Sequence, residues 1–241
     1  MRRALALLAL ALLAVSAGCT AFGGGSVDEG ALADDVDHDW NTTADATVVL
    51  QKNRYRAVFN VSGTKTIELY RPRRLSNREP LDPVGLDFRH ANGTVVNLTK
   101  KHVNRSGGAT VVRLPAANGS VAFEANRQGK SLRLPTAVNG SYEVVLPPGG
   151  RVEYPFLGRV VPLADETSMD ADGRVHIRWD APDRNLIAVE YYLARDLLIL
   201  GAIVAVGGVA LLGGSAYFLI TIRNLRRRRE DVDIDLGGGD S

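Results

Sequence analysis

Two kinds of residue in this 241-residue chain could carry covalent chemistry. Asn41, Asn60, Asn92, Asn97, Asn104, Asn118 and Asn139 each open an Asn-X-Ser/Thr triplet with X other than proline. That pattern accepts a glycan on the side-chain amide nitrogen. With 12 asparagines and 23 serines plus threonines, chance would place about one such triplet, so seven is an excess. At Asn92, Asn118 and Asn139 the following glycine also suits a tight turn, and the turn alone could explain the pair. The other four have no such explanation. The second kind is the single thiol, Cys19. Small residues Ser16, Ala17 and Gly18 precede it, the setting for cleavage before a cysteine whose sulfur then takes a lipid through a thioether. Ordinary cleavage after Ala17 competes with this. Lipidation is the favoured reading, because the lone cysteine falls at this position and a glycine tether, Gly23 to Gly25, follows. One cysteine also excludes an intrachain disulfide, and its place in the leader excludes a cysteine nucleophile.

Nothing else has the spacing of a known catalytic or ligand set. His38, His90, His102 and His176 are far apart, without a His-Glu-x-x-His pair. There is no Gly-x-Ser-x-Gly elbow, P-loop or dinucleotide-binding glycine pattern. Asp170-Ala171-Asp172-Gly173 begins like a calcium loop, but Ser168 and Trp179 would fall at its first and twelfth positions, so a hairpin turn is expected. Trp179 stands at an alternating inward position and reads as core. No enzyme, cofactor or metal is expected. An enzyme would require acidic and polar groups such as Asp82, Asp87, His90 or Glu124 to converge on one deep pocket.

The elements that must carry these groups begin with the chain's longest apolar run, Leu197 to Ile222, which holds no charge. About 20 helical residues cross a bilayer core, so this run spans with tilt to spare. Arg223 and Arg226 to Arg229 follow it. Basic flanks stay cytoplasmic, which puts the C-terminus inside and everything before the span outside. Tyr191 and Tyr192 are expected in the outer aromatic belt and Tyr217 and Phe218 near the inner one. Residues 1–18, with Arg2 and Arg3 before a short apolar stretch, read as a signal peptide. Residues 19–46 read as a tethered, solvated acidic linker, 47–193 as the outer domain, and 223–241 as a basic then acidic cytoplasmic tail, disordered after Arg229.

Within 47–193 apolar residues recur with period two. Tyr55, Ala57, Phe59 and Val61 alternate, as do Val84, Leu86 and Phe88, Val121, Phe123 and Ala125, Tyr142, Val144 and Leu146, and Val175, Ile177 and Trp179. Asn-Gly or Asp-Gly pairs at 92, 118, 139 and 172 separate these runs. The pattern predicts an antiparallel β-sandwich, immunoglobulin-like in the loose sense, ahead of one transmembrane helix. One domain, or two breaking near 135–139 or 147–150, both fit. Arg71 to Pro83 reads as the longest loop, and 185–195 as a last strand or short helical stem. Net charge is +2, with an Arg-rich domain after the acidic stretch. Those arginines are scattered, and a domain outside the membrane rarely meets nucleic acid, so none is expected as a partner.

The lipobox-like Ser16 to Cys19, the glycine tether, the acidic stretch Val27 to Trp40 and the tail RRRREDVDIDLGGGDS together resemble a haloarchaeal membrane-anchored surface lipoprotein of an uncharacterised family. The resemblance implies a place, not an activity. The expected function is a glycosylated, non-enzymatic surface domain serving envelope interaction or assembly. The membrane is its first partner, with other envelope or membrane proteins met through the ectodomain or through a Gly201, Gly208 and Ser215 helix face. The alternative is a ligand- or ion-binding accessory subunit of a membrane complex.

Overall fold

The computed structural model describes residues 27–73 and 77–237. Cys19 and the expected signal peptide lie outside the described residues. In chain order the elements are α1 (Glu29–Leu32), β1 (Ala46–Leu50), β2 (Arg54–Val61), β3 (Thr66–Pro72), β4 (Arg78–Pro80), β5 (Val84–His90), β6 (Val95–Asn97), β7 (Val103–Ser106), β8 (Ala109–Arg113) and β9 (Gly119–Asn126). There follow β10 (Ser131–Pro135), β11 (Tyr142–Val145), β12 (Gly150–Arg151), β13 (Arg159–Val161), β14 (Glu166–Met169), β15 (Val175–Trp179), β16 (Leu186–Glu190), β17 (Tyr192–Leu193) and the terminal helix α2 (Ala194–Gly237).

The expected sandwich forms. An eight-stranded sheet, ordered β14-β15-β11-β1-β2-β9-β5-β6, makes one layer. The other layer is a four-stranded sheet, β4-β3-β8-β7, beside a three-stranded one, β10-β16-β13. Pairing is antiparallel except between β1 and β11, which run parallel with Ala46 opposite Tyr142 and Val48 opposite Val144. A parallel neighbour needs a long connection, and here the whole chain between β1 and β11 supplies it.

The period-two residues cause this arrangement. Alternate side chains of a strand share one face, so Val48, Ala57, Phe123, Val144 and Ile177 all turn inward and are buried. They meet Ile67, Leu69, Val112, Leu132, Leu134, Ile187 and Val189 of the opposing layer in one apolar core. Fully burying such a side chain contributes on the order of 1.5–3 kcal/mol. Phe123 packs edge-on against Phe59, with centroids 5.7 Å apart, and against Tyr55 at 6.3 Å. Trp179 is buried as expected, its indole N–H donating to the Pro162 carbonyl at 3.1 Å.

Several local expectations are overturned. The acidic segment after Val27 is no solvated linker: Val27 and Leu32 are in the core, and residues 33–45 strap the outer face of the large sheet. His38 donates from Nε2 to the Gly85 carbonyl at 2.7 Å, and Arg89 lies 5.0 Å from the Trp40 ring centroid. Gly85 sits at φ +56 in a bulge of β5, where a Cβ would overlap Val36. The expected loop from Arg71 is strand over part of its length: Arg71 and Pro72 of β3 pair with Glu79 and Arg78 of β4, and Tyr70 stands opposite Pro80. Among the Gly pairs, Asn92-Gly93 and Asp172-Gly173 do close hairpins, between β5 and β6 and between β14 and β15. Asn118-Gly119 and Asn139-Gly140 instead carry the chain from one layer to the other. Gly140 is needed because a Cβ there would overlap the Asp45 carboxylate, which accepts from the Ser141 amide at 2.8 Å.

The C-terminal helix begins at Ala194, directly after β17. One stretch of it, Ala194–Arg223, is 30 residues long and holds an 18-residue run of mean hydropathy 2.4, long and apolar enough to cross a membrane. The helix continues to Gly237 through the expected disordered tail, because extending a formed helix adds a hydrogen bond per residue without a new nucleation cost.

Candidate functional site: a two-poled domain

The register gives the sandwich two ends. At one, Leu50 pairs with Tyr55, Arg54 with Asn126 and Val145 with His176. The helix starts at this end: the Ala194 amide donates to Gly149 at 2.9 Å, and Lys130 pairs with Asp196 at 2.5 Å. At the other end lie Val61 opposite Gly119 and Ala46 opposite Phe59.

The sequons divide by place and by hydrogen bonding. Asn92 is in the β5–β6 turn, Asn118 precedes β9, and Asn139 precedes β11; all three are exposed at the end remote from the helix. Asn41, exposed, precedes β1 at the same end. Two of the four bond through the side-chain oxygen, not the nitrogen: Asn118 Oδ1 accepts from the Gly63 amide at 3.1 Å and Asn92 Oδ1 from the Thr94 amide at 3.0 Å. Asn104 is exposed on the edge strand β7. Asn60 and Asn97 differ. The Asn60 amide nitrogen donates to the Ala44 carbonyl at 3.3 Å while its oxygen accepts from Ser120 at 2.7 Å. The Asn97 amide nitrogen donates to Leu32 at 3.1 Å and to Asp87 at 3.0 Å. Sequence alone had favoured both as sites free of turn constraints; the structure uses their amides as clamps.

The acidic and histidine candidates do not converge. Asp82 pairs with Arg105, Asp87 lies 3.6 Å from His38, and His90 packs edge-on against Phe88. Glu124 sits between Arg56 at 2.6 Å and Arg54 at 3.3 Å. Burial works against its ionised form, but the two guanidinium hydrogen bonds outweigh it and hold its carboxyl below the usual range.

A constellation the sequence did not disclose lies on the outer face of the large sheet. His176 on β15 meets Glu143 of β11 through Nδ1 at 2.9 Å and Asp170 of the β14–β15 turn through Nε2 at 3.0 Å. Thr43 of the strap donates to the same Glu143 at 3.1 Å. Only an imidazolium can donate to both carboxylates at once. Partial burial would lower the His176 pKa, yet the bonds to Glu143 and Asp170 prevail and raise it. The His176 contribution to stability is therefore full below the ordinary histidine value of about 6.5 and lost as pH rises through the raised value. Asp170 is held below its usual range, chiefly by the His176 hydrogen bond, so its own contribution fades only in stronger acid. We expect the stability difference between wild type and His176→Gln, measured by urea unfolding, to shrink steadily from pH 6 to pH 9. A difference that is flat over that range would refute the bridging imidazolium.

Two grooves open toward the helix end. One of about 1020 Å³ runs from the strap, at His38 and Thr42, along Thr47, Val49 and Val58 to Leu193 and Arg195. Lys52, Lys130 and Arg174 also line it. His38 Nδ1 and Thr47 Oγ1 are buried there without a hydrogen-bond partner among the described residues. The other, about 900 Å³, is lined by Arg71, Arg73, Arg78, Arg127 and Arg133 with Glu79 and Glu190. These gather part of the scattered arginines that composition alone left unassigned. Neither groove includes Asp82, Asp87, His90 or Glu124. Among the described residues no group of three or more His, Cys, Asp or Glu is placed to hold a metal ion.

A family model described as a family of unknown function matches residues 42–237, which takes in the sandwich and the helix. Compared with curated proteins and with solved structures, the chain has no match.

Proposed function

The chain belongs to DUF5803, a family of unknown function, and we propose that it is a cell-surface glycoprotein whose β-sandwich is held outside the membrane by one span. On this reading residues 1–18 are removed, Cys19 carries a lipid, the basic flank after Ile222 stays inside, and the cell is archaeal. The domain serves envelope interaction or assembly rather than catalysis. The observation that carries the reading is the opposition of the two poles. The helix leaves one, and asparagines whose side-chain nitrogens donate no hydrogen bond among the described residues, Asn41, Asn92, Asn118 and Asn139, crown the other. A glycan is bulky and needs an exposed nitrogen; a coat of sugar at the remote pole leaves the membrane-side surface bare.

Peptide-level mass spectrometry of the protein extracted from its own membrane tests this. Glycan is expected on several of Asn41, Asn92, Asn104, Asn118 and Asn139, with Asn60 and Asn97 unmodified. Sugar on Asn60 or Asn97, or on none of the seven, would contradict the reading.

A second reading, an accessory subunit that binds a small ligand, is favoured by the larger groove. Its buried, unpartnered His38 Nδ1 and Thr47 Oγ1 are the kind of polar groups a ligand satisfies. Native mass spectrometry of the full chain in nanodiscs tests it: a bound small molecule on wild type that is lost in Thr47→Val supports binding, and an unliganded wild-type mass opposes it.

A further inference from the structure

We propose that the turn Glu153–Leu157 is a membrane-contacting wedge, which places Tyr154 and Phe156 in the outer headgroup layer beside the helix. The inference rests on the single-span reading above and goes beyond it, to how the domain meets the lipid.

The expected belt residues are not available for that role. Tyr191 and Tyr192 are each 5 % exposed, because β17 pairs with β12 and Tyr191 is held by Arg127. The lipid-facing aromatics are supplied from another part of the chain. Phe156 is 79 % exposed and Tyr154 46 %. The Tyr154 ring lies 5.9 Å from Tyr192, two residues before the helix, and 5.8 Å from Phe156. The three rings form a ladder leading outward from the helix head.

The turn is built to hold that exposure. The Tyr154 carbonyl accepts from both the Leu157 amide at 2.9 Å and the Gly158 amide at 2.8 Å. The neck is so tight that a Cβ on Gly158 would fall 2.8 Å from the Val152 Cα. Its two strands are fixed at the helix end, Arg151 opposite Tyr192 and Arg159 opposite Glu190. Tyr154 and Phe156 together make a contiguous exposed apolar patch, the kind of feature that marks a membrane or protein contact. Continuity with the span makes that surface the bilayer. Tyrosine and phenylalanine with flanking arginines are the residue types that settle at the headgroup level, and Arg151 and Arg159 flank this turn.

The test places a tryptophan in the full chain in nanodiscs, read as fluorescence added over wild type. Phe156→Trp is compared with Val95→Trp, at the remote pole, and Leu211→Trp, mid-span. Lipids carrying a headgroup nitroxide should quench the added Phe156→Trp signal by at least about twofold and leave Val95→Trp unchanged. Acyl-brominated lipid should quench Leu211→Trp. If Leu211→Trp is quenched but Phe156→Trp behaves like Val95→Trp, the span stands and the wedge falls. A blue-shifted but unquenched Phe156→Trp would mean that a protein, such as a second copy, covers the turn, and this too overturns the wedge. If Leu211→Trp is itself unquenched, the single-span reading fails and the wedge with it.

Discussion

Arg127→Ala should cost the domain about 3–5 kcal/mol, comparable to removing one partner from a buried ion pair and a large share of a typical stability of 5–15 kcal/mol. The Arg127 side chain lies beneath the helix end of the sandwich, the residue only 7 % exposed. Its Nε donates to the Gln51 carbonyl at 2.9 Å, and its terminal nitrogens reach Gly129 at 2.6 Å, Lys52 at 3.1 Å and the Tyr191 hydroxyl. The same guanidinium lies 5.3 Å from the Tyr191 ring centroid. One planar fork thus ties the β1–β2 turn, the β9–β10 connection and Tyr191, the residue between β16 and β17. Removing it leaves several carbonyls without donors in a place water does not reach well, and each such loss costs about 1–3 kcal/mol. Arg127→Lys should recover only part, since an ammonium keeps the charge without the fork. Urea unfolding of the full chain in detergent measures both, and proteolysis between Tyr191 and Asp196 should quicken in Arg127→Ala. A loss below about 0.5 kcal/mol, the range of an ordinary surface change, would remove Arg127 from this role.

Two phenylalanines supply the second large contrast. Phe123 is 1 % exposed and meets Tyr55 and Phe59 edge-on; Phe156 is 79 % exposed. Phe123→Ala removes the largest side chain of β9 from the centre of the core and leaves a cavity, at about 3–5 kcal/mol. For a chain of this size that lowers the melting temperature by roughly 10 °C. Phe156→Ala in the same detergent should move it by less than about 2 °C. Equal shifts would mean that the core is not centred where the packing places it.

The inward faces were legible because period two is a backbone property. Tyr55, Ala57, Phe59 and Val61, and Tyr142, Val144 and Leu146, are buried as their spacing required. The helix was legible for a similar reason, as an uninterrupted apolar run. Pairing between strands was not. Glu143 and His176 are outward residues with 32 positions between them in sequence, and nothing local says that β11 and β15 adjoin. The seven sequons were visible as a pattern, but which amide nitrogens are spent as donors depends on where Ala44, Leu32 and Asp87 come to lie, so Asn60 and Asn97 could not be told from Asn41. The docking of the acidic segment was hidden by its composition, since Val27, Leu32 and Val36 are spread among many charges. Tyr154-Pro155-Phe156 did carry a signal, two aromatics around a proline in a stretch without strand alternation, but its nearness to the helix head comes from the pairing of β12 with β17 and not from sequence.

Sidedness is the point on which the account turns, and thiol labelling reads it most directly. Val95→Cys reports the remote pole and Ser241→Cys the tail, each against the wild-type background of Cys19. With a membrane-impermeant maleimide on intact cells, Val95→Cys should label at once and Ser241→Cys only after the membrane is opened. Labelling of Ser241→Cys on intact cells, with Val95→Cys protected, would turn the molecule around and contradict the surface-domain account.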